Sequence, residues 1–459
     1  MRNQIRDRLP YAFEDLGEQS VKNIARPVRV YALRPEAVAD LPATMAPPGP
    51  PISRSAIVPR LSIVVLPFAN LSDDPEQQYF ADGIAEDLTT DLSRLAGMLV
   101  IPWNTAFTYQ GKRVDTKQIG RELGVRFVLE GSVRRSGNRV RVNAQLIDAV
   151  SDTHLWAERF DGDTSDLFTL QDEITRRIAV ALNIELVGAE AARPTEQPDA
   201  FDYILRARAA ALKPPSRENR LEWIMMLERA LALDPESVEA QSYLATVLVA
   251  RVLTNMTDTA AADIARAEGL AERALAAAPR NPLARYAKGE VLRAQNRLGE
   301  ALPEYETVLA LNRNHVYALA AQIWCKLAIG STEEAIPLFE RAISLSPRDP
   351  ELGSWYQGIG QAHLMQARTD EAIDWLEKAR RAAPAKSIIH SWLASAYALK
   401  GDIGHAVAEL AEARRLSADD RYSSIARLKA PGGLWAPKAV ALRTATYFAG
   451  LRKAGVPEE

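Results

Sequence analysis

The stretch STEEAIPLFERAISLSP, residues 331–347, contains the pattern that decides how about half of this chain folds. Ala335 and Phe339 lie four residues apart, which places them on one face of a helix, and Pro347 ends that helix. The same order recurs along the chain: a small residue, then a larger residue four positions later, then a position that ends the helix. The stretch is therefore one unit of a repeat.

The helix-ending position fixes the period of this repeat. Pro279, Arg313 and Pro347 are 34 residues apart, and 34 residues also separate Pro384 from Ala418. Each unit has a small residue in its second helix, a larger one four places later, and usually a small residue in its first helix. These are Ala301, Ala335, Ala372 and Ala406; Tyr305, Phe339, Leu376 and Leu410; and Ala245, Gly289, Gly360 and Ala394. Small residues allow two helices to approach closely, so the pattern predicts stacked helix pairs.

A 34-residue unit of this composition resembles the tetratricopeptide repeat. The resemblance implies an all-α solenoid over residues 200–418, with five repeats and a sixth that is half formed. About ten additional residues near 254–263 are expected in the turn between two helices. A solenoid needs an end with a polar outer face, so residues 419–459 are expected to form one or two capping helices.

Residues 60–190 carry a different pattern. LSIVVLPF (61–68) is typical of a buried strand, and spaced apolar residues from Phe80 to Leu95 predict an amphipathic helix. Alternating apolar residues on both sides of SGN (136–138) predict a hairpin, HLWAERF (154–160) a further strand, and 167–186 a long helix. The sequence thus predicts an α/β domain with a small mixed sheet.

Three phrases of this region carry a second resemblance. VLPFANLSDDPEQQYFADGIAEDLTTDLSRL (65–95), GRELGVRFVLEGSVRRSGNRVRVNAQLIDA (120–149) and HLWAERFD (154–161) resemble the TolB amino-terminal-like domain. The resemblance implies a fold and no chemistry. The expected fold class is multidomain, with this α/β domain followed by the tetratricopeptide solenoid.

The start of the chain reads like the end of another domain. LGEQSVKNIARPVRVY (16–31) resembles the carboxy-terminal edge of the bacterial class III adenylate cyclase domain, with Val28, Val30 and Leu33 as its last strand after a turn-rich segment. Residues 1–40 are interpreted as a remnant of that domain. The resemblance implies that Lys22 matches a lysine that contacts nucleotide phosphates, but the metal-binding aspartates of the family are not matched. Six prolines in 41–59 predict an extended linker.

Composition narrows the class of function. Lysine plus arginine (56) nearly balances aspartate plus glutamate (59), so no basic field favours nucleic acid. The chain contains no run of 18 apolar residues, so no membrane-spanning helix is predicted. Its single cysteine, Cys325, suits a reducing compartment, and we therefore expect a cytoplasmic protein. The five histidines have no metal-ligand spacing, and neither a metal nor a cofactor is expected.

In tetratricopeptide arrays the first helices line the concave face, and their outward positions recur at fixed offsets. A protein-binding groove is therefore predicted at Tyr286, Glu290, Arg293, Tyr317, Trp324, Gln357, Gln361 and Ser391. For Tyr317 and Trp324 the alternative is packing between neighbouring repeats.

Three functions compete at this point. The first is a non-catalytic signalling scaffold that binds a protein or peptide in the groove, with a homo-oligomer left open. The second is the regulatory portion of an adenylate cyclase whose catalytic domain is missing from this chain. The third, a DNA-binding regulator, is the weakest because the chain is not basic.

Overall fold

The computed structural model describes residues 13–19, 28–33, 60–72, 77–95, 97–112, 115–163, 167–417, 419–429 and 435–459. The chain divides into two compact units, Met1–Ile57 and Val58–Glu459. Lys22 and the proline-rich linker at 41–59 lie outside the described residues.

The first unit contains a two-stranded antiparallel sheet. Strand β1 (Phe13–Gln19) pairs with strand β2 (Val28–Leu33), so that Phe13 lies opposite Leu33. The strand over 28–33 was predicted, whereas 13–19 was expected to be turn-rich. The extended partner strand corrects that expectation, since the backbone groups of β2 are paired with those of β1.

The second unit begins with an α/β domain. Its strands are β3 (Ser62–Val65), β4 (Ala69–Asn70), β5 (Leu99–Val100), β6 (Phe127–Ser136), β7 (Arg139–Asp148) and β8 (Thr153–Asp163), and its helices are α1 (Gln77–Leu92), α2 (Trp103–Ala106), α3 (Thr116–Leu123) and α4 (Leu167–Ala191). The strand order is β5-β3-β6-β7-β8, and β4 also pairs with β6. Strand β3 is parallel to β5 and β6, while β6, β7 and β8 are antiparallel. The sheet is therefore mixed, as the sequence predicts.

Both faces of the central strands are buried, which explains their continuous apolar sequence. Ile63 and Phe127 belong to the core that α1 and α4 complete on one face. Val64 and Val128 face the other way, into a smaller core with Ile119 of α3. Because successive side chains of a strand point to opposite faces of the sheet, neighbouring residues contribute to different cores.

Residues 200–416 form twelve helices in six antiparallel pairs. In chain order the helices are α5 (Ala200–Ala211), α6 (Arg217–Leu233), α7 (Val238–Leu253), α8 (Ala260–Ala277), α9 (Pro282–Ala294), α10 (Leu298–Leu311), α11 (Val316–Ile329), α12 (Thr332–Leu345), α13 (Leu352–Met365), α14 (Thr369–Ala382), α15 (Ser387–Lys400) and α16 (Ile403–Leu416). The repeat expected to be half formed is thus a complete pair. The insertion near 254–263 lengthens α7 and α8 as well as their turn, which corrects its placement in the turn alone.

The small and large residues of the repeat meet as the sequence predicts. A Cβ atom added to Gly289 would lie 2.6 Å from the ring of Tyr305, and one added to Gly360 would lie 2.6 Å from the side chain of Leu376. Both distances are too short for non-bonded carbon atoms. In these two pairs the first and second helices can therefore approach this closely only because the first carries glycine.

After the repeats the chain forms helix α17 (Ile425–Lys429) and a second helical segment, Pro437–Lys453. This segment, called the tail helix below, contains a π-helical turn at Thr444–Phe448 between two α-helical parts. Among the described residues, no helix is both long enough and apolar enough to cross a membrane.

A buried carboxylate joins the α/β domain to the repeats. Asp91 of α1 is 1 % exposed, and the Arg313 guanidinium donates to both of its oxygens at 3.2 Å. The Asn314 amide donates to the same carboxylate at 2.9 Å, and Arg313 also reaches Asp172 of α4 at 3.1 Å. Desolvation would lower the pKa of Arg313, but the carboxylates of Asp91 and Asp172 raise it above its ordinary value. Arg313, which occupies a helix-ending position of the repeat, thus binds two helices of the other domain.

We predict that Arg313→Ala lowers the free energy of unfolding by roughly 1–3 kcal/mol, because Asp91 keeps its burial and loses its bidentate partner. Thermal or urea unfolding measures the change. Arg297→Ala is the matched control, since that arginine forms an exposed pair with Glu300 three residues later and should change stability far less than Arg313→Ala. Equal effects of the two substitutions would contradict the role assigned to Arg313.

Candidate functional site

The predicted groove positions on α9 and α11 include three aromatic residues, Tyr286, Tyr317 and Trp324, called the aromatic patch below. Tyr317 is 38 % exposed, whereas Tyr286 and Trp324 are partly buried. The ring of Tyr286 lies 4.9 Å from the His315 ring and 6.1 Å from the Tyr305 ring, measured between centroids. Internal contacts thus hold Tyr286 in place, while Tyr317 offers the most accessible ring of the patch.

Trp324 packs within its own repeat. Its ring lies 5.3 Å from that of Phe339 in an edge-to-face arrangement, and Phe339 is completely buried. Trp324 is therefore packed rather than free in a groove, but the contact lies within one repeat and not between neighbouring repeats as the alternative had it. The exposed part of the indole is still rigidly oriented by Phe339.

Glu290 and Arg293 form an internal network. Glu290 is 2 % exposed, receives two hydrogen bonds from Arg293 at 2.7 and 3.2 Å, and accepts a third from the Tyr305 hydroxyl at 2.7 Å. Burial would lower the pKa of Arg293, but the Glu290 carboxylate holds it above its ordinary value. The pair neutralises itself inside the array, so neither charge is free to bind a ligand without breaking this network.

Arg293→Ala should therefore lower the stability of the array rather than remove a direct contact with a ligand. We predict a loss of roughly 3–5 kcal/mol in the free energy of unfolding, because a buried carboxylate would lose its cation. Chemical denaturation of the intact chain measures it. Arg266→Ala removes an arginine whose pair with Glu228 is largely exposed, and should cost less than about 1 kcal/mol. A loss for Arg293→Ala as small as this control would mean that Glu290 is solvated and that Arg293 is available to ligands.

Charged side chains border the aromatic patch. Arg220 of α6 lies 3.7 Å from Glu351 beside α13, although 131 residues separate them in sequence. Lys386 donates to the same glutamate at 3.1 Å. The neighbouring Asp349 is buried and its pKa is raised to about 6, chiefly by desolvation and against the hydrogen bonds it accepts. Polar groups from distant repeats thus meet beside Tyr317.

The remaining predicted positions are not exposed. Gln357 is 7 % and Gln361 is 3 % exposed, and within the described part of the chain Gln361 Oε1 has no hydrogen-bond partner. Ser391 is completely buried, and its hydroxyl lies 3.0 Å from the Tyr447 hydroxyl of the tail helix. The expectation of an open groove is therefore corrected at α15. The first-helix position is where the repeat pattern puts it, but the tail covers it.

Sequence reasoning missed this cover because it expected 419–459 to cap the end of the solenoid. The signal that could have found it is the spacing of four between Ala439, Arg443, Tyr447 and Leu451, which places these residues on one helix face. Ala439, Tyr447 and Leu451 are all buried.

Two titratable side chains of this region have pKa values shifted by burial. Burial raises the pKa of the Cys325 thiol to about 12, so it carries almost no thiolate at neutral pH. Burial lowers the pKa of His315 to about 4, and its Nδ1 accepts a hydrogen bond from the Ala318 amide at the start of α11. Both side chains therefore serve the packing of the repeats.

Comparisons with known proteins agree with the repeat architecture. One tetratricopeptide repeat family model matches residues 325–385, and another matches 260–315, 292–350 and 358–421. The carboxy-terminal part of the chain is thus an array of tetratricopeptide repeats. A model of the second domain of HilA/YgeH-like transcriptional regulators matches residues 59–177, which is most of the α/β domain.

A curated relative is the "Putative adenylate cyclase 3" of Rhizobium meliloti (strain 1021), 40% identical over 301 residues. The match covers 65% of this chain and 50% of the relative, so the chain spans about half the length of that protein.

Two solved structures are similar to parts of this chain at low identity. One is YrrB, described as a TPR protein with an unusual peptide-binding site, with 18% identity, coverage of 42% of this chain and 93% of that one, and a TM-score of 0.31. The other is the APC/C hetero-tetramer Cut9-Hcn1, with 16% identity, coverage of 56% and 47%, and a TM-score of 0.42.

Proposed function

We propose that this chain is a protein-binding scaffold that belongs to a bacterial adenylate cyclase-type signalling system, and that it binds its partner on the inner face of the repeats at the aromatic patch. The observation that carries the proposal is the exposure of Tyr317 beside partly buried Tyr286 and Trp324. Repeats of this class generally bind protein partners, and the inner face is where their first helices meet a ligand.

The chemistry of the patch suits a peptide segment. Tyrosine and tryptophan provide large, rigid contact areas and are enriched among residues that dominate binding energy. Arg220, Glu351 and Lys386 supply charge of both signs at the border, where partly exposed charges select a partner more than they strengthen its binding. We expect the bound segment to place an apolar side chain against Tyr317 and polar groups toward this border.

The relation to a cyclase rests on two supports. One is the identity with the relative from Rhizobium meliloti, and the other is the resemblance of residues 1–40 to the edge of a class III cyclase domain, in which Lys22 would be a phosphate contact. Under the alternative function, the chain is the regulatory portion of such an enzyme. We also propose that residues 60–190 are a TolB amino-terminal-like domain.

Partner binding is tested at Tyr317. We predict that Tyr317→Ala weakens binding by about 2 kcal/mol, roughly 30-fold, and lowers the free energy of unfolding by only about 1 kcal/mol, the contribution of the hydrogen bond between its hydroxyl and Asp349. A photocrosslinking amino acid in place of Tyr317, expressed in the native cell, identifies the partner, and titration with that purified partner gives the affinities.

Two controls are matched to this experiment. Tyr79→Ala removes an 84 % exposed tyrosine from α1 and should leave affinity unchanged, and a crosslinker in place of Val407, on the second helix α16, should capture no partner. If the position of Val407 crosslinks the same protein equally well, or Tyr79→Ala weakens binding as much as Tyr317→Ala, the aromatic patch is not the binding surface.

Cyclase activity of the chain itself is tested separately. We predict that purified chain forms no cyclic AMP from ATP with Mg²⁺ or Mn²⁺ above a blank without protein, because this chemistry requires metal ions held by carboxylates and the resemblance supplies only Lys22. Product is measured by chromatography. Metal-dependent turnover that Lys22→Ala abolishes would contradict the scaffold proposal.

A further inference from the structure

The tail helix runs across the first helices of the last three repeats. At one end the Ala436 amide donates to the Ala328 carbonyl at the end of α11, at 2.8 Å. Its π-helical turn contacts both α13 and α15, and its last part packs on α15. Capping helices extend a solenoid, but this helix lies along the face that the first helices share.

The contact with α15 is close and specific. The Ser395 hydroxyl donates to the Tyr447 carbonyl at 2.8 Å, and the Tyr447 ring stacks on Trp392 with 4.1 Å between centroids. A Cβ atom on Gly450 would lie 2.2 Å from Ser395 Oγ and 2.3 Å from the Ser395 carbonyl oxygen. Only glycine fits between the tail and α15 at this point.

The same contact leaves polar groups incompletely satisfied. The Arg443 guanidinium lies between 4.2 and 5.9 Å from the ring centroids of Trp435, Trp392, Tyr447 and Phe448. Desolvation lowers the pKa of Arg443, and within the described residues its Nε has no hydrogen-bond partner. On release of the tail the Arg443 guanidinium would return to water, so its desolvation favours exchange of the tail for another helix.

The π-helical turn lies in the part of the tail that contacts α13 and α15. Such turns are rare and are often found at functional sites. Thr446, Tyr447 and Phe448 are all buried there, while Thr444 and Ala445 remain exposed. The tail therefore presents one helix face, with Ala439, Arg443, Tyr447 and Leu451, to the repeats, as a helix bound in a groove does.

We propose that Trp435–Val456 is an internal, displaceable ligand of the inner face, and that the array's protein partner is an amphipathic helix with the same small, cationic and aromatic stripe. This deepens the proposed function and rests on it for the identity of the partner as a protein. The tail keeps the α13–α15 end of the face closed until a competing helix replaces it.

A labelled synthetic peptide with the tail sequence 435–456 tests exchange on the intact chain. Wild type should bind it weakly, because the apparent affinity falls with the fraction of open face. Gly450→Leu should release the resident tail, since the added side chain collides with Ser395, and should tighten peptide binding about tenfold or more. Tyr447→Ala should act in the same direction by removing the stack on Trp392.

Two controls assign the effect to this face. Gly404→Leu makes the same change in α16 where only Asp402 is near, and should bind peptide as wild type does. Adding Ser395→Leu to Gly450→Leu fills the exposed face and should abolish binding. Circular dichroism melts report whether each variant folds.

The proposal is overturned if both tail variants fold and bind peptide no better than wild type, or if both fail to fold, because the tail would then be an inseparable part of the array. Concentration-dependent wild-type dimers would assign the face to a second copy's tail and contradict the internal assignment. Crosslinking at Tyr317 does not use the peptide and therefore tests the proposed function separately. If crosslinking captures a partner but the peptide does not exchange with the tail, the tail proposal is rejected and the proposed function stands.

Discussion

The close approach of two helices in each repeat is the constraint on which the other features of the array depend. At Gly289 and Gly360 the first helix leaves no room for a Cβ atom, because Tyr305 and Leu376 of the second helix occupy that space. This packing fixes the orientation of each first helix. One side packs against the second helix of the pair, and the other side forms a face that continues along the array. The shared side then carries both the aromatic patch and the contact with the tail helix.

A buried carboxylate helps to join the α/β domain to this array. Asp91 contributes a carboxylate without solvent access, and the repeats contribute Arg313 and Asn314 from the turn before α11. Arg94 of the same domain also donates to Asp91 at 3.2 Å, but loss of the repeat contacts would leave the buried carboxylate incompletely paired, so the two domains hold a defined orientation. The domain thereby fixes the turn from which α11, with Tyr317 and Trp324, begins.

The sequence predicted the parts that depend on local spacing and missed those that depend on distant partners. The 34-residue period identified the positions of Ala335 and Phe339, and alternation identified the β6–β7 hairpin, because both patterns reflect contacts between near neighbours. The pattern placed Ser391 and Glu290 at first-helix positions but could not show that Tyr447 covers one and Arg293 neutralises the other. Arg313 was read only as a helix end, since its partner Asp91 lies 222 residues away.

The proposed inner face binds a protein ligand, and its last part holds the chain's own tail in an exchangeable contact. Hydrogen exchange of the intact chain, followed by mass spectrometry, tests this most directly, because it reports the opening of each helix separately. The tail helix should exchange about a hundredfold or more slowly than an unstructured peptide and still faster than α15. Exchange of the tail at the rate of a free peptide would show that it is not bound. Exchange in step with α15 would show that it does not open independently, and either result would contradict the claim.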